Sequence, residues 1–235
     1  MKDKEICALV KAGTIKIFDP ANIKQKQPEP EPEKAILAEP LDDGLLYIGI
    51  TRFVDDTVTE LKGILRSEVF HSARGIVIDL RGNLGGTLYS VNKVAQLFGP
   101  GNLLIGETRG AMPGKYYTDK QATSAGSGKA TVVVVDEKTS SGAELFAGFI
   151  KNHHLGTVVG KKTAGAGLVR TVARINKGAI MLIPVNYLFD SNGKAIEGNG
   201  IEPDIVLPQT GCTEHYPYGL CKAVLQQALT MQNYP

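Results

Sequence analysis

The spacing of apolar positions divides the chain near residue 45. Before it, residues 7–18 alternate apolar and polar around Lys11-Ala12-Gly13, which predicts a short hairpin with too little apolar material to fold alone. The run of prolines and glutamates from Gln25 to Glu33 then predicts an extended, solvated linker over residues 25–40. After residue 45, strand patterns alternate with helical ones. Leu45–Ile50 reads as a strand, and Asp55–Leu65 places Val58, Leu61, Ile64 and Leu65 at helical spacing behind Asp55 or Asp56 as N-cap. Residues 75–80 and 131–136 are continuous apolar runs, the pattern of strands covered on both faces, and lead into helices over 88–98 and 142–151. A short strand is expected over 103–106. Past Gly156 the pattern turns β-rich, with strands at 158–159, 169–175 and 180–184 and a turn at 190–193. An amphipathic helix through Ala223, Leu225 and Leu229 closes the chain. Repeated βαβ units imply an α/β fold with right-handed crossovers and a largely parallel sheet.

Composition narrows the function more than the fold. The 235 residues suffice for one full core. Twenty-six Lys and Arg nearly balance 24 Asp and Glu, so no bulk charge draws the chain to nucleic acid or membrane. Tryptophan is absent, which weakens any base-stacking reading further. No apolar run approaches a membrane span, and the charged start Met1-Lys2-Asp3-Lys4-Glu5 is no signal peptide. Cys212 and Cys221 flank a turn-rich stretch that suits a short-loop disulfide in an oxidising compartment; free buried thiols are the competing reading.

Three segments could carry chemistry. Leu80-Arg81-Gly82-Asn83-Leu84-Gly85-Gly86 follows a buried strand, where glycines let backbone N–H groups aim into a cleft. It reads as an oxyanion hole, an anion-binding nest, or simply a tight strand–helix turn. Lys138-Thr139-Ser140-Ser141-Gly142-Ala143-Glu144 puts serines at a helix start, beside free N–H groups and the positive end of the dipole. Such a serine is a nucleophile or an ordinary N-cap. Gly160-Lys161-Lys162-Thr163-Ala164-Gly165-Ala166-Gly167 is a loop at a cleft rim or a glycine-rich hairpin, and lies outside the phosphate-loop pattern.

Together with Gly198-Asn199-Gly200-Ile201-Glu202-Pro203-Asp204, these segments resemble the carboxy-terminal processing, or tail-specific, serine peptidases. Residues 78–86 match I-D-L-R-x-N-x-G-G, 139–144 match S-A-S-A-S-E, 160–167 match G-x-x-T-x-G-K-G, and 198–204 match G-x-G-I-x-P-D. The resemblance covers about residues 41–207. It implies a Clp/crotonase-like peptidase core over 41–208; the residue pattern itself adds the β-rich C-terminal part and a helical tail over 209–235. The family usually carries a PDZ domain ahead of this core, and residues 1–24 would be its remnant.

Carried over residue by residue, the resemblance makes Ser141 the nucleophile and assigns the oxyanion hole to Gly142 with Gly85 or Gly86. The substrate implied is a polypeptide or peptide C-terminus, with no cofactor, metal or nucleic acid; a homo-oligomer stays open, and residence is periplasmic or otherwise exported. One departure stands out. The family's general-base lysine is Ala166 here, and the glutamine that orients it is Arg170. Alanine has no base and arginine stays protonated. Three readings remain: an engineered inactive variant, a natural pseudo-peptidase, or a site whose base comes from Lys161, Lys162, His153 or His154.

Overall fold

The computed structural model describes residues 16–18, 34–122, 125–126, 128–174, 180–207 and 215–231. The chain runs through β1 (Lys16–Phe18), β2 (Ile36–Leu41), β3 (Leu45–Ile50), α1 (Asp55–Leu65), α2 (Glu68–Ser72), β4 (Gly75–Asp79) and α3 (Leu88–Ala95). It continues through β5 (Leu104–Gly110), β6 (Gly114–Tyr117), β7 (Ala130–Val135), α4 (Gly142–Asn152), β8 (Thr157–Gly160), β9 (Leu168–Arg174) and β10 (Ile180–Asp190). It ends in β11 (Ile205–Val206), β12 (His215–Tyr216), β13 (Leu220–Cys221) and α5 (Lys222–Thr230).

Six strands form the main sheet in the order β11-β8-β7-β4-β3-β2. All its pairings are parallel except β2 with β3. The period-2 alternation of strand side chains divides its apolar residues between two faces. Ile76, Ile78, Val133 and Val135 enter the larger core with Val58 and Leu61 of α1, Val91 and Val94 of α3 and Phe146 and Phe149 of α4. Val77, Val132 and Val134 point the other way, onto Val224, Leu225, Ala228 and Leu229 of α5. Both faces are therefore covered, as the continuous apolar runs require. A second, antiparallel sheet is ordered β1-β10-β5-β6, with β9 also on β10.

Several expectations need correcting. Residues 36–40 are not linker: β2 pairs along its whole length with β3, as an edge strand where Pro40 is tolerated. The N-cap of α1 is Val54, whose amide donates to Thr57 Oγ1 at 3.1 Å, so Asp55 and Asp56 lie inside the first turn. The helix expected over 88–98 stops at Ala95. The closing helix is a layer of the core, and Ala223 is not on its buried face. Of the expected N-terminal hairpin, β1 pairs with β10; residues 7–15 and 19–24, residues 25–33 of the expected linker, Cys7 and Cys212 lie outside the described residues.

Candidate active site

Three turns leave the C-terminal ends of the neighbouring parallel strands β4, β7 and β8 and converge. This is the edge where open parallel sheets place ligands. The second turn is fixed to the first by Asp136 and Thr139. Asp136 Oδ1 accepts from Gly82 N–H at 3.0 Å and from Thr139 N–H at 2.9 Å, and Thr139 Oγ1 donates to the Leu80 carbonyl at 2.8 Å. Burial pushes the Asp136 carboxyl up, but the hydrogen bonds from Gly82, Thr139 and Lys138 outweigh it and hold it below its ordinary value. Ser140 N–H donates to the Asn83 carbonyl at 2.9 Å, which closes the seam.

Ser141 sits at the start of α4 with φ 56 and ψ −121. A side chain in that region is strained, by about 1–3 kcal/mol for such sparsely populated conformations. Glu144 Oε2 accepts from Ser141 N–H at 2.8 Å, while the serine hydroxyl itself makes no cap hydrogen bond. The half-exposed hydroxyl is thus not engaged in capping.

The glycine turn is built around Asn83, which is fully buried. Its Nδ2 donates to the Ile50 carbonyl at 2.8 Å and its Oδ1 accepts from Gly85 N–H at 2.7 Å. Gly85 is therefore committed to Asn83, which removes it from the candidate oxyanion donors. Gly85 has φ 96, and a Cβ there would stand 2.8 Å from Gly142 N and 3.0 Å from Ser141 Cβ, so only glycine lets the two turns touch. The amides of Gly86 and Gly142 have no acceptor among the described residues. A Cβ on Gly142 would lie 3.6 Å from Gly86 N, so the two free donors belong to one small region beside Ser141.

On the other side of Ser141 the hub is Glu144, which the motif match contains but to which sequence reasoning assigned no role. Fully buried, it accepts four hydrogen bonds: Ser141 N–H at 2.8 Å, Ala166 N–H at 2.9 Å, Gly165 N–H at 2.7 Å and Thr163 Oγ1 at 2.6 Å. The Ser141 and Ala166 amides thus meet on one oxygen. The S-x-x-E spacing of a capping box was the available signal. Residues 198–204 brace the same loop: Ile201 N–H donates to Thr163 Oγ1 at 2.7 Å and Gly198 N–H to the Gly165 carbonyl at 2.9 Å.

The other candidate bases are not brought to Ser141. His153 and His154 follow the far end of α4, eleven residues or about 16 Å along its axis. His153 Nε2 is 2.7 Å from the Leu104 carbonyl. The Lys161 ammonium pairs with Glu137 at 3.3 Å and that of Lys162 with Glu202 at 2.7 Å, both at the surface. Arg170 is exposed on β9, opposite Pro184 of β10. Glu197 escaped notice in the sequence: its backbone packs against Gly167, and its Oε2 is buried without a hydrogen-bond partner among the described residues. A cavity of about 790 Å³ opens at the opposite end of the sheet, beside Ala130, Thr157 and His154, and contains none of the groups around Ser141. Among the described residues no cluster of three or more His, Cys, Asp or Glu could hold a metal.

The sequence profile of peptidase family S41 matches residues 44–207. A probable CtpA-like serine protease of Staphylococcus epidermidis is 31% identical over 157 residues, covering 66% of this chain and 32% of the relative. Its counterpart in Staphylococcus haemolyticus is 29% identical over 170 residues, covering 71% and 34%. The chain thus spans about a third of the length of these curated relatives. Among solved structures, the photosystem II D1 C-terminal processing protease superposes with a TM-score of 0.67 at 22% identity, over 83% of this chain and 54% of that one. A putative peptidase from Parabacteroides merdae gives 0.66 at 17% identity, over 90% and 78%. The fold is the α/β, Clp/crotonase-like core expected from the sequence. With the profile spanning 164 residues in one block, the chain belongs to peptidase family S41.

Proposed function

We propose that this chain is the core of a serine endopeptidase of the tail-specific type, acting on polypeptides near their C-termini, with Ser141 as nucleophile. The observation that carries the reading is a strained serine, its hydroxyl free of capping, beside two amides without an acceptor among the described residues. Ser141 Oγ attacks the scissile carbonyl carbon, and the Gly86 and Gly142 N–H groups receive the developing oxyanion. The amine product leaves, and water hydrolyses the acyl-enzyme. An extended substrate adds as a strand beside the cleft, so backbone pairing supplies affinity with loose sequence demands.

The step lacking a group is removal of the serine proton. Position 166, whose amide shares Glu144 Oε2 with Ser141, is alanine, and this chain does not turn over as it stands. Ala166→Lys restores cleavage of an unfolded polypeptide, and Ser141→Ala in that background abolishes it. A silent Ala166→Lys protein that folds normally overturns the assignment. The departures at both Ala166 and Arg170 favour a second reading, a pseudo-peptidase that binds peptide without cutting it. Labelling of Ser141 by a fluorophosphonate probe in the unmodified chain contradicts that reading.

An exported location fits the family, and the disulfide at Cys221 fits an oxidising compartment. Among the described residues no helix is long and apolar enough to cross a membrane.

A further inference from the structure

The turn that carries Gly86 is gripped from behind by a residue far along the chain. Arg81, five residues before Gly86, forks onto Asp79 through Nη2 at 2.6 Å and Nε at 3.0 Å. The same Nη2 donates to the Tyr218 carbonyl at 2.8 Å. The Tyr218 ring stacks on Tyr47 with centroids 4.4 Å apart and planes 16° from parallel. Tyr47 in turn donates its hydroxyl to Asp79 Oδ2 at 3.1 Å. The Tyr218 hydroxyl hydrogen-bonds Glu39 of β2, which raises its pKa. One residue therefore touches β2, β3 and the turn after β4.

Tyr218 is not a passive neighbour. It holds φ 63, a left-handed conformation unusual for a tyrosine, and the residues after it are locked in place. Leu220 and Cys221 are buried against the sheet, Cys221 is disulfide-bonded, and α5 follows directly. Oxyanion donors work only when held within about half an ångström of their productive positions. On the cleft side the turn is held by Asn83 and Asp136; behind it, the Arg81 fork is completed by the Tyr218 carbonyl.

We propose that Tyr218 is a positioning residue: the C-terminal segment clamps the Leu80–Gly86 turn through Arg81 and so sets the Gly86 amide. Its consequence for catalysis rests on the oxyanion role proposed above for Gly86; the clamp itself does not. Displacing this segment leaves the Arg81 fork on Asp79 alone and uncovers the Tyr47 ring.

Amide hydrogen exchange of the full chain tests this without turnover. In Tyr218→Ala, peptides covering residues 80–87 exchange about tenfold faster, while β7 and α4 keep their protection. Tyr218→Phe, which keeps the stacked ring that holds this residue in place and loses only the hydroxyl, leaves exchange at 80–87 unchanged. Arg81→Lys loosens the same peptides with the tyrosine intact, and decides the matter if Tyr218→Ala fails to fold. Unchanged exchange at 80–87 overturns the clamp, and so does uniform loosening that includes β7 and α4. In the Ala166→Lys background, Tyr218→Ala lowers kcat about tenfold with KM within twofold. If Ala166→Lys is silent but exchange shifts, only the catalytic reading falls; if Ala166→Lys cuts peptide and exchange does not move, only the clamp falls.

Discussion

The two flanks of Ser141 are built to different degrees. On the flank proposed as the oxyanion hole, backbone and side chains are both in place: Asn83 shapes the turn, Gly85 lets it touch the serine, and the Gly86 and Gly142 amides have no acceptor among the described residues. On the flank proposed to supply the base, the backbone is held as tightly, by Glu144 and by residues 198–204, yet the loop presents Ala166, a side chain that cannot take a proton. Loop architecture and loop chemistry are therefore separable here. The hydrogen bonds that shape residues 163–166 use backbone amides and Thr163, none of which depends on the side chain at 166. The side chain at 166 can therefore change without loosening the loop.

The sharpest way to break this comparison is to remove the hub of the base flank. Glu144→Leu strands three backbone amides and the Thr163 hydroxyl in the interior, and should lower unfolding free energy by about 3–5 kcal/mol in chemical denaturation. A loss under about 1 kcal/mol means the loop is held by something else. The oxyanion flank has a smaller counterpart. Gly85→Ala forces a left-handed backbone and a Cβ against Gly142 N, and should cost about 2–3 kcal/mol. It should also abolish any activity gained by Ala166→Lys; full activity in the double variant removes the turn from the mechanism.

The smallest effect lies in the Asp136 seam. Its carboxyl is held below its ordinary value in the folded chain, so its contribution is fully present above the unfolded-state pKa and lost as pH falls through the folded one. Wild type should exceed Asp136→Asn in thermal stability at neutral pH, and the two should converge in acid. A constant gap across pH shows that the seam does not titrate.

Much of this was legible in the sequence. The apolar runs located β4 and β7, helical spacing located α1 although its N-cap was misplaced by one or two residues, and four motifs in order marked the three converging turns. What escaped has identifiable causes. β2 carries Glu39 and Pro40 and follows a proline-rich run, so its composition hid a strand that exists because β3 offers it an edge. The choice between Gly85 and Gly86 depended on where the Asn83 side chain turns, which no spacing encodes. Glu144 was part of a matched motif with no role assigned, because its four donors come from two loops that only the fold brings together. The link from Tyr218 to Arg81 spans 137 positions and follows no local pattern.

The backbone at Ser141 has a last consequence. Its φ of 56 suits a glycine, which would relax the turn and leave the fold more stable by about 1 kcal/mol. A chain selected only to fold, or only to hold a peptide, gains nothing from a serine there. The nucleophile role proposed for Ser141 would account for a serine where folding alone favours glycine. Measured against Ser141→Gly, the size of that deficit would put a thermodynamic value on keeping a side chain at this turn.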